Sequence, residues 1–531
     1  CPSENTILIP GNDSAAEEYY RNNVLVPDGT DRSKIAVPKN SEEILNKIGK
    51  DAKYPKEGKY CLLGNINVDT SKKDIAFVKP TNNDAFAGEF YGANHTIKDI
   101  DISCNNSGLF NSNTGTIQDL TVSGSVINTT TTCGSEKLYY NNVGMLTGEN
   151  SGTISNVKAV DAVVQGYIAG GLVGNNSGTI SNSSARGTIA AGSGTNSTII
   201  SSSECSGGLV AINSGIITLS LVIGVETTSG TNAGGFVCKN ETDANINHSF
   251  VNNSVIKANN SAGFVSINSG TINSTYVEKA IITTQKTAGF VSINNNKIND
   301  VYAFDITFNG GTAAGFIREN KSNDLKNVYL TINEESTASS MTGFTSTISG
   351  ETYEPSNVYW VTDDNYTSDI FACTTDNNDY CKNSIKRRKT IDLNSTPSDI
   401  VYTGWSNDVW CFSCSARALL KGMPDEATSR TSCENACSNT DRCSLIKVKT
   451  PSDEDTNISL VMDENSNCVC PPCYVFDDDN TIDDDLECNR DMSGEVQDVS
   501  NNKYCLKYKC DGFVKQLDNY DAPNIRLKRS N

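Results

Sequence analysis

Apolar residues along most of this chain fall in short runs of β-branched and aromatic type, broken by Gly, Asn and Ser, and no 3.6-residue period survives through them. Such runs predict short strands joined by tight corners. Between Asn113 and Ile348 the runs recur as one phrase, a large apolar residue followed by a turn. An example is Gly171-Leu172-Val173-Gly174-Asn175-Asn176-Ser177-Gly178-Thr179-Ile180. The asparagine slot is filled by Asn113, Asn150, Asn176, Asn213, Asn240, Asn268, Asn294 and Asn320, with Ile348 at the next place. The intervals are 37, 26, 37, 27, 28, 26, 26 and 28, so one unit repeats, and the two long intervals mark insertions around Thr129 to Tyr140 and Ala191 to Ser206. Asn and Gly suit the corners because they tolerate a left-handed backbone, and an Asn side chain bonds back to its own turn.

A unit this small cannot bury an apolar face alone, so successive units must stack and share a core. The slot four residues before the turn stays large and apolar throughout: Leu109, Leu146, Leu172, Leu209, Phe236, Phe264, Phe290, Phe316 and Phe344. Ile117, Ile154, Ile180, Ile217, Ile272 and Ile298 repeat after the turn, and Tyr276, Tyr302, Tyr329 and Tyr359 form a late column. The Phe column reads as core. The Tyr column has two readings, inward with satisfied hydroxyls or outward as a ledge. The fold class that follows is all-β: a right-handed parallel β-helix or close solenoid relative of roughly ten coils, with strands about 4.8 Å apart. It carries an N-terminal cap and a C-terminal disulfide-rich module.

Three regions result: 1–54, an arm and capping helix; 55–362, the solenoid; and 363–531, a cysteine-rich region. Within the first, Ser41 to Gly49 reads as a short amphipathic helix capped by Ser41 and stopped by Gly49, placed to cover the open first coil. Only 37% of residues are apolar, which suits a thin solenoid with much surface. A net charge of −20 leaves no basic stripe for phosphates, so nucleic acid is not an expected partner. No apolar stretch is long enough to span a membrane. The chain opens at Cys1, which is read as following a removed signal peptide.

Nineteen cysteines imply an oxidising, extracellular setting, and thirteen of them crowd the third region as structural disulfide candidates. These are Cys373, Cys381, Cys411, Cys414, Cys433, Cys437, Cys443, Cys468, Cys470, Cys473, Cys488, Cys505 and Cys510. Because the total is odd, Cys1 is expected to be free, lipidated or bridged to another molecule. Asn-X-Ser/Thr signals supply glycosylation candidates at Asn128, Asn182, Asn196, Asn240, Asn247, Asn252, Asn259, Asn273, Asn320, Asn365, Asn394 and Asn457.

Catalysis on a solenoid needs carboxylates converging from neighbouring coils. Glu149, Asp161, Glu204, Glu226, Asp300, Asp305 and Glu319 instead fall at unrelated slots, so no catalytic residue is assigned. No metal or cofactor is expected: the chain has two His, and the Asp477 to Asp479 and Asp483 to Asp485 runs lack the Gly and final Glu of an EF-hand loop. Thr116, Thr153, Thr179 and Thr271 share a slot, but Ile216 and Lys297 interrupt it, so an ice-binding face is set aside.

Three stretches carry a family likeness: Tyr60 to Asp69, Phe86 to Ile97 and Ser107 to Phe110. Together with the Gly170-Gly171-Leu172-Val173-Gly174 phrase and Asn357-Val358-Tyr359-Trp360, they resemble the coils of GLUG-motif proteins, over roughly Lys59 to Thr362. The resemblance implies a secreted, adhesin-like surface protein. Leu gives way to Phe in later coils here, and the cysteines and C-terminal region are departures from the pattern. The expected function is an extracellular structural surface glycoprotein that assembles head-to-tail with copies of itself into a filament, or decorates one. The alternatives are an adhesin for a surface glycan or protein and, less favoured, a polysaccharide-degrading enzyme.

Overall fold

The structure is a computed structural model. Within 1–361 it describes all residues except 3–4, 12–13, 25–29, 36, 38–40, 70, 72–77, 104–105, 129–141, 188–197, 284, 334 and 349–355. Beyond 361 it describes 385–388, 401–402, 404–406, 408–412, 418–423, 447–450, 456–459, 461–462, 468–469, 474–477 and 487–490. The chain separates into two compact units, one built on Cys1–Ser356 and one that opens at Asn357.

The first unit is a parallel β-solenoid of about ten turns. One wall is a nine-stranded sheet whose strands end at the repeating asparagine: Phe110–Asn113, Thr147–Asn150, Val173–Asn176, Val210–Asn213, Val237–Asn240, Val265–Asn268, Val291–Asn294, Ile317–Asn320 and Thr345–Ile348. Every strand runs parallel to the next with the slots in register, from Asn113 against Asn150 to Asn320 against Ile348. The opposite side begins just after each turn. There Ile117, Ile154, Ile180, Ile217, Ile246, Ile272, Ile298 and Leu325 pair in one row.

Ile246 and Leu325 complete a column that the fixed spacing had left open. Coil five inserts Thr242 and Asp243, the latter in the left-handed region at φ 66°, between turn and strand, and Ala244 takes the usual Gly slot, which moves its Ile two places downstream. A second corner follows this row in each coil, with Asp119, Asn156, Asn182, Leu219, His248, Ser274, Asp300 and Asn327 all at φ between 45° and 55°. Asn and Asp favour that backbone because their short polar side chains lower its cost. Leu219 holds it without that help.

The arm before the coils adds a rung of its own. Strand β1 (Thr6–Ile9) pairs in parallel with β2 (Lys59–Leu62), Thr6 against Lys59 and Ile9 against Leu62. The predicted helix forms at Ser41–Lys47 and buries Ile44 and Leu45. Ser41 does not do the expected capping: its buried hydroxyl donates to the Gly11 carbonyl at 3.1 Å, pinning helix to arm. Gly49, at φ 74°, turns the chain after the helix as anticipated. Cys1 is a correction: it is bonded to Cys61 with Cα atoms 5.8 Å apart, so it is neither free nor intermolecular.

In the second unit, a hairpin of Trp410–Phe412 and Ala418–Leu420 carries a small core of Val401, Tyr402, Trp405, Trp410 and Leu420. Tyr402 and Trp405 meet edge to face at 5.4 Å, and the Tyr402 hydroxyl accepts from the Ala418 amide. Cys411 is disulfide-bonded. Cys468 and Cys488 lie in short strands whose side chains fall outside the described residues, as do the other ten cysteine candidates entirely.

Candidate functional site

Columns of identical side chains, one rung apart, make up the chemistry of the solenoid. The Phe column is stacked: ring centroids lie 4.9, 5.0, 4.8 and 4.9 Å apart from Phe236 through Phe264, Phe290 and Phe316 to Phe344. Interplanar angles through Phe316 are at most 6°, and every ring is fully buried. Parallel strands set this spacing, because each ring is carried at the strand repeat.

Beside it runs a ladder of buried amides. The Nδ2 of Asn113 donates to Oδ1 of Asn150 at 2.8 Å, and the same bond links Asn150 to Asn176, Asn176 to Asn213, Asn213 to Asn240, Asn240 to Asn268, Asn268 to Asn294 and Asn294 to Asn320 at 2.7 to 2.9 Å. Several use the second amide hydrogen on their own turn, as Asn176 does on the Gly178 carbonyl at 3.2 Å. The turn bond was foreseeable from Asn chemistry. The ladder has a signal in the sequence too: an invariant slot in register must bring like amides within bonding distance.

A shorter amide row lies outside, where Asn273 donates to Asn247 at 3.3 Å and Asn299 to Asn273 at 2.9 Å. Serines help at the bulged corner, with Ser183, Ser220 and Ser249 each accepting a backbone N–H from the preceding coil at 3.2 Å. Inside the coil wall, Cys205 is bonded to Cys238, a pair not among the disulfide candidates.

The tyrosine column proves to be an outward one. A side chain placed on Gly263 would meet Val277 at 3.2 Å, so Val277 faces the opposite wall, and alternation along the strand turns its neighbour Tyr276 away from the lumen. Phe250, Tyr276, Tyr302 and Tyr329 stack at 4.7 to 4.8 Å and are nevertheless at most 2% exposed. Their outer face is therefore shielded, and they are no open ledge. Tyr359 belongs to the second unit and is also buried.

A different flank carries Val163, Ile199, Glu226, Val255, Ile281 and Thr307 in one outward row. Ile281 is 39% exposed, and Glu226 pairs with Lys257 of the next coil at 2.8 Å.

The sequon candidates divide by burial. Asn240 and Asn320 are corrected, since both are rungs of the inner ladder at 1% exposure, and Asn128 is buried at 2%. A glycan on any of them has no room in the folded coil. Asn259 is exposed, while Asn182, Asn247, Asn252 and Asn273 are half-buried. Asn196, Asn365 and Asn394 lie outside the described residues, as does the side chain of Asn457.

The acids are engaged singly. Glu149 takes the amides of Asn142 and Asn175, Asp300 that of Asn327, and Glu319 the Lys321 ammonium at 2.8 Å. Burial raises the Asp300 carboxyl above its ordinary range, and burial lowers the His248 imidazole. Among the described residues no group of three or more His, Cys, Asp or Glu is placed to hold a metal, and no helix is long and apolar enough to cross a membrane.

Residues 165–190 match the family model described as the GLUG motif, and they span the run into and out of the third turn, Asn176 included. No curated protein and no solved structure matches the chain.

Proposed function

We propose that this GLUG-repeat protein is an extracellular structural protein of a cell or filament surface, built on a stiff solenoid and not as an enzyme. The observation that carries the reading is the unbroken inner ladder from Asn113 to Asn320: it spends eight invariant positions on joining coil to coil, as a load-carrying element requires. The disulfides, and the secreted setting that the GLUG resemblance implies, support the extracellular reading. Acids held singly by amides or lysines speak against paired-carboxylate chemistry.

Between building a filament and decorating one, the N-terminal end favours decoration. A rung from the arm, a helix and the Cys1–Cys61 bond cover the first coil, where head-to-tail growth needs an open edge. Light scattering and electron microscopy over a concentration series test this. Monomers throughout support decoration; concentration-dependent fibres restore the polymerising reading.

Ligand adhesion is the second reading, favoured by the outward row Val163, Ile199, Val255 and Ile281. A screen of glycans and surface proteins against wild type and Ile281→Lys decides it: binding that the substitution abolishes supports adhesion.

A further inference from the structure

We infer that Asn309 is a site of spontaneous main-chain modification, converting through a succinimide to aspartate and isoaspartate. Asn309-Gly310 is the one Asn-Gly step in the sequence. Asn309 closes the strand Ile298–Asn309, and Gly310 and Gly311 follow at φ 76° and 67° in a half-exposed corner. Nothing stands within 4 Å of where a Gly310 side chain would be, and among the described residues no hydrogen bond holds the Gly310 N–H. The nucleophile is therefore an unshielded main-chain nitrogen next to a flexible hinge. The Asn309 side chain is held only lightly, its Oδ1 accepting from the Thr337 hydroxyl at 3.4 Å.

The chemistry needs no partner but water. The Gly310 nitrogen bonds to Cγ of Asn309, the Cγ–Nδ2 bond breaks, and ammonia leaves carrying the displaced proton. Water then opens the five-membered imide at either carbonyl, giving a carboxylate at residue 309 on the normal or the isomerised backbone. The isomerised product lengthens the main chain by one carbon between the Cα of residue 309 and the Gly310 nitrogen, one residue before Gly311. That residue's carbonyl anchors the next coil, accepting from the Ser339 amide at 3.0 Å, the Ser339 hydroxyl at 2.8 Å and the Ser340 amide at 3.3 Å. Modification thus adds a negative charge and loosens the 339–340 rung.

The ladder asparagines are the internal control. Asn268 and Asn294 have no exposed surface, and each must first break an inter-coil bond of 2.8 or 2.9 Å at both its amide and its carbonyl. With each such bond contributing about 1 kcal/mol, Asn309 should react at least about ten-fold faster than Asn294. The test is peptide mapping of the purified full chain aged at neutral and mildly alkaline pH, scoring replacement of NH2 by OH and isoaspartate content. Expected are conversion concentrated at Asn309, a rate that climbs with pH, and faster amide exchange at 339–340 in the aged fraction. Asn309→Gln should abolish the signal, since ring closure would then need a six-membered imide. Conversion at Asn309 no faster than at Asn294 overturns the inference in the wild-type chain alone, whatever the variant does.

Discussion

Replacing Asn213 by Ala removes one rung from the middle of the inner ladder, and its cost can be worked from the bonds it breaks. Asn213 accepts from Asn176 at 2.8 Å and donates to Asn240 at 2.9 Å, with no exposed surface. The substitution strips the Asn240 carbonyl of its donor and leaves one hydrogen of the Asn176 amide with nothing to bond. Each stranded buried group costs about 1–3 kcal/mol, so the loss is about 4 kcal/mol. Asn113 stands at the end of the ladder and makes one inter-coil bond, to Asn150. Asn113→Ala should therefore cost about half as much, about 2 kcal/mol. Equilibrium unfolding in urea, followed by far-UV circular dichroism with disulfides intact, gives both values from midpoint shifts at unchanged slope. The comparison is the test. If the two substitutions destabilise equally, or if Asn213→Ala costs under about 1 kcal/mol, the bonds are bystanders to packing and the ladder argument is wrong.

Other outcomes follow from the same geometry. Phe290 is sandwiched between Phe264 at 5.0 Å and Phe316 at 4.8 Å; Phe290→Ala should cost about 3–5 kcal/mol in the same urea assay, and Phe290→Leu clearly less. Mild reductant on the folded protein should open the Cys1–Cys61 bond before Cys205–Cys238, because Cys1 is exposed and both Cys205 and Cys238 are fully buried, as differential alkylation and mass mapping would read. Asp300 has its carboxyl pKa raised, mainly by burial, so the folded state disfavours the charged form and the cost is present above the folded pKa. Asp300→Asn, which keeps an acceptor for Asn327, should thus stabilise at neutral pH. The advantage should fade as pH falls through the raised pKa and vanish below the unfolded value; a pH series of melting temperatures checks the sign.

The repeat was legible because a solenoid writes its geometry into one spacing. Slots 26 to 28 residues apart land in register, so Phe264, Phe290 and Phe316 had to stack if the unit was one coil. Ile246 was hidden by a local two-residue shift that spacing alone does not expose. The direction of the Tyr column was undecidable in sequence, since an aromatic beside Val277 suits a core or a covered flank, and only the glycine wall opposite Val277 settles it. Cys1 misled for another reason: an odd cysteine count says that some thiol lacks a partner without saying which. The Asn240 and Asn320 sequons misled because a three-residue signal is blind to the coil above, whose amide claims the same side chain.

The ends of the ladder bear on assembly. It begins at Asn113 because the preceding rung places Phe86 opposite that slot, and it stops at Asn320 because the next strand places Ile348 there. At the first end the Asn113 carbonyl oxygen is taken by the Gly115 N–H at 3.2 Å, and at the last the Asn320 amide donates to the Ser322 carbonyl at 2.9 Å. Interior rungs such as Asn213 make the same turn bonds while also bonding to the next coil, so what ends the ladder is the apolar neighbour, Phe86 at one end and Ile348 at the other. A ladder that propagated between chains would keep its terminal groups open for the next copy, as stacked amides do in fibrils. Here each end of the ladder meets an apolar residue of the same chain, Phe86 or Ile348, so the amide-to-amide bonding is confined to one chain.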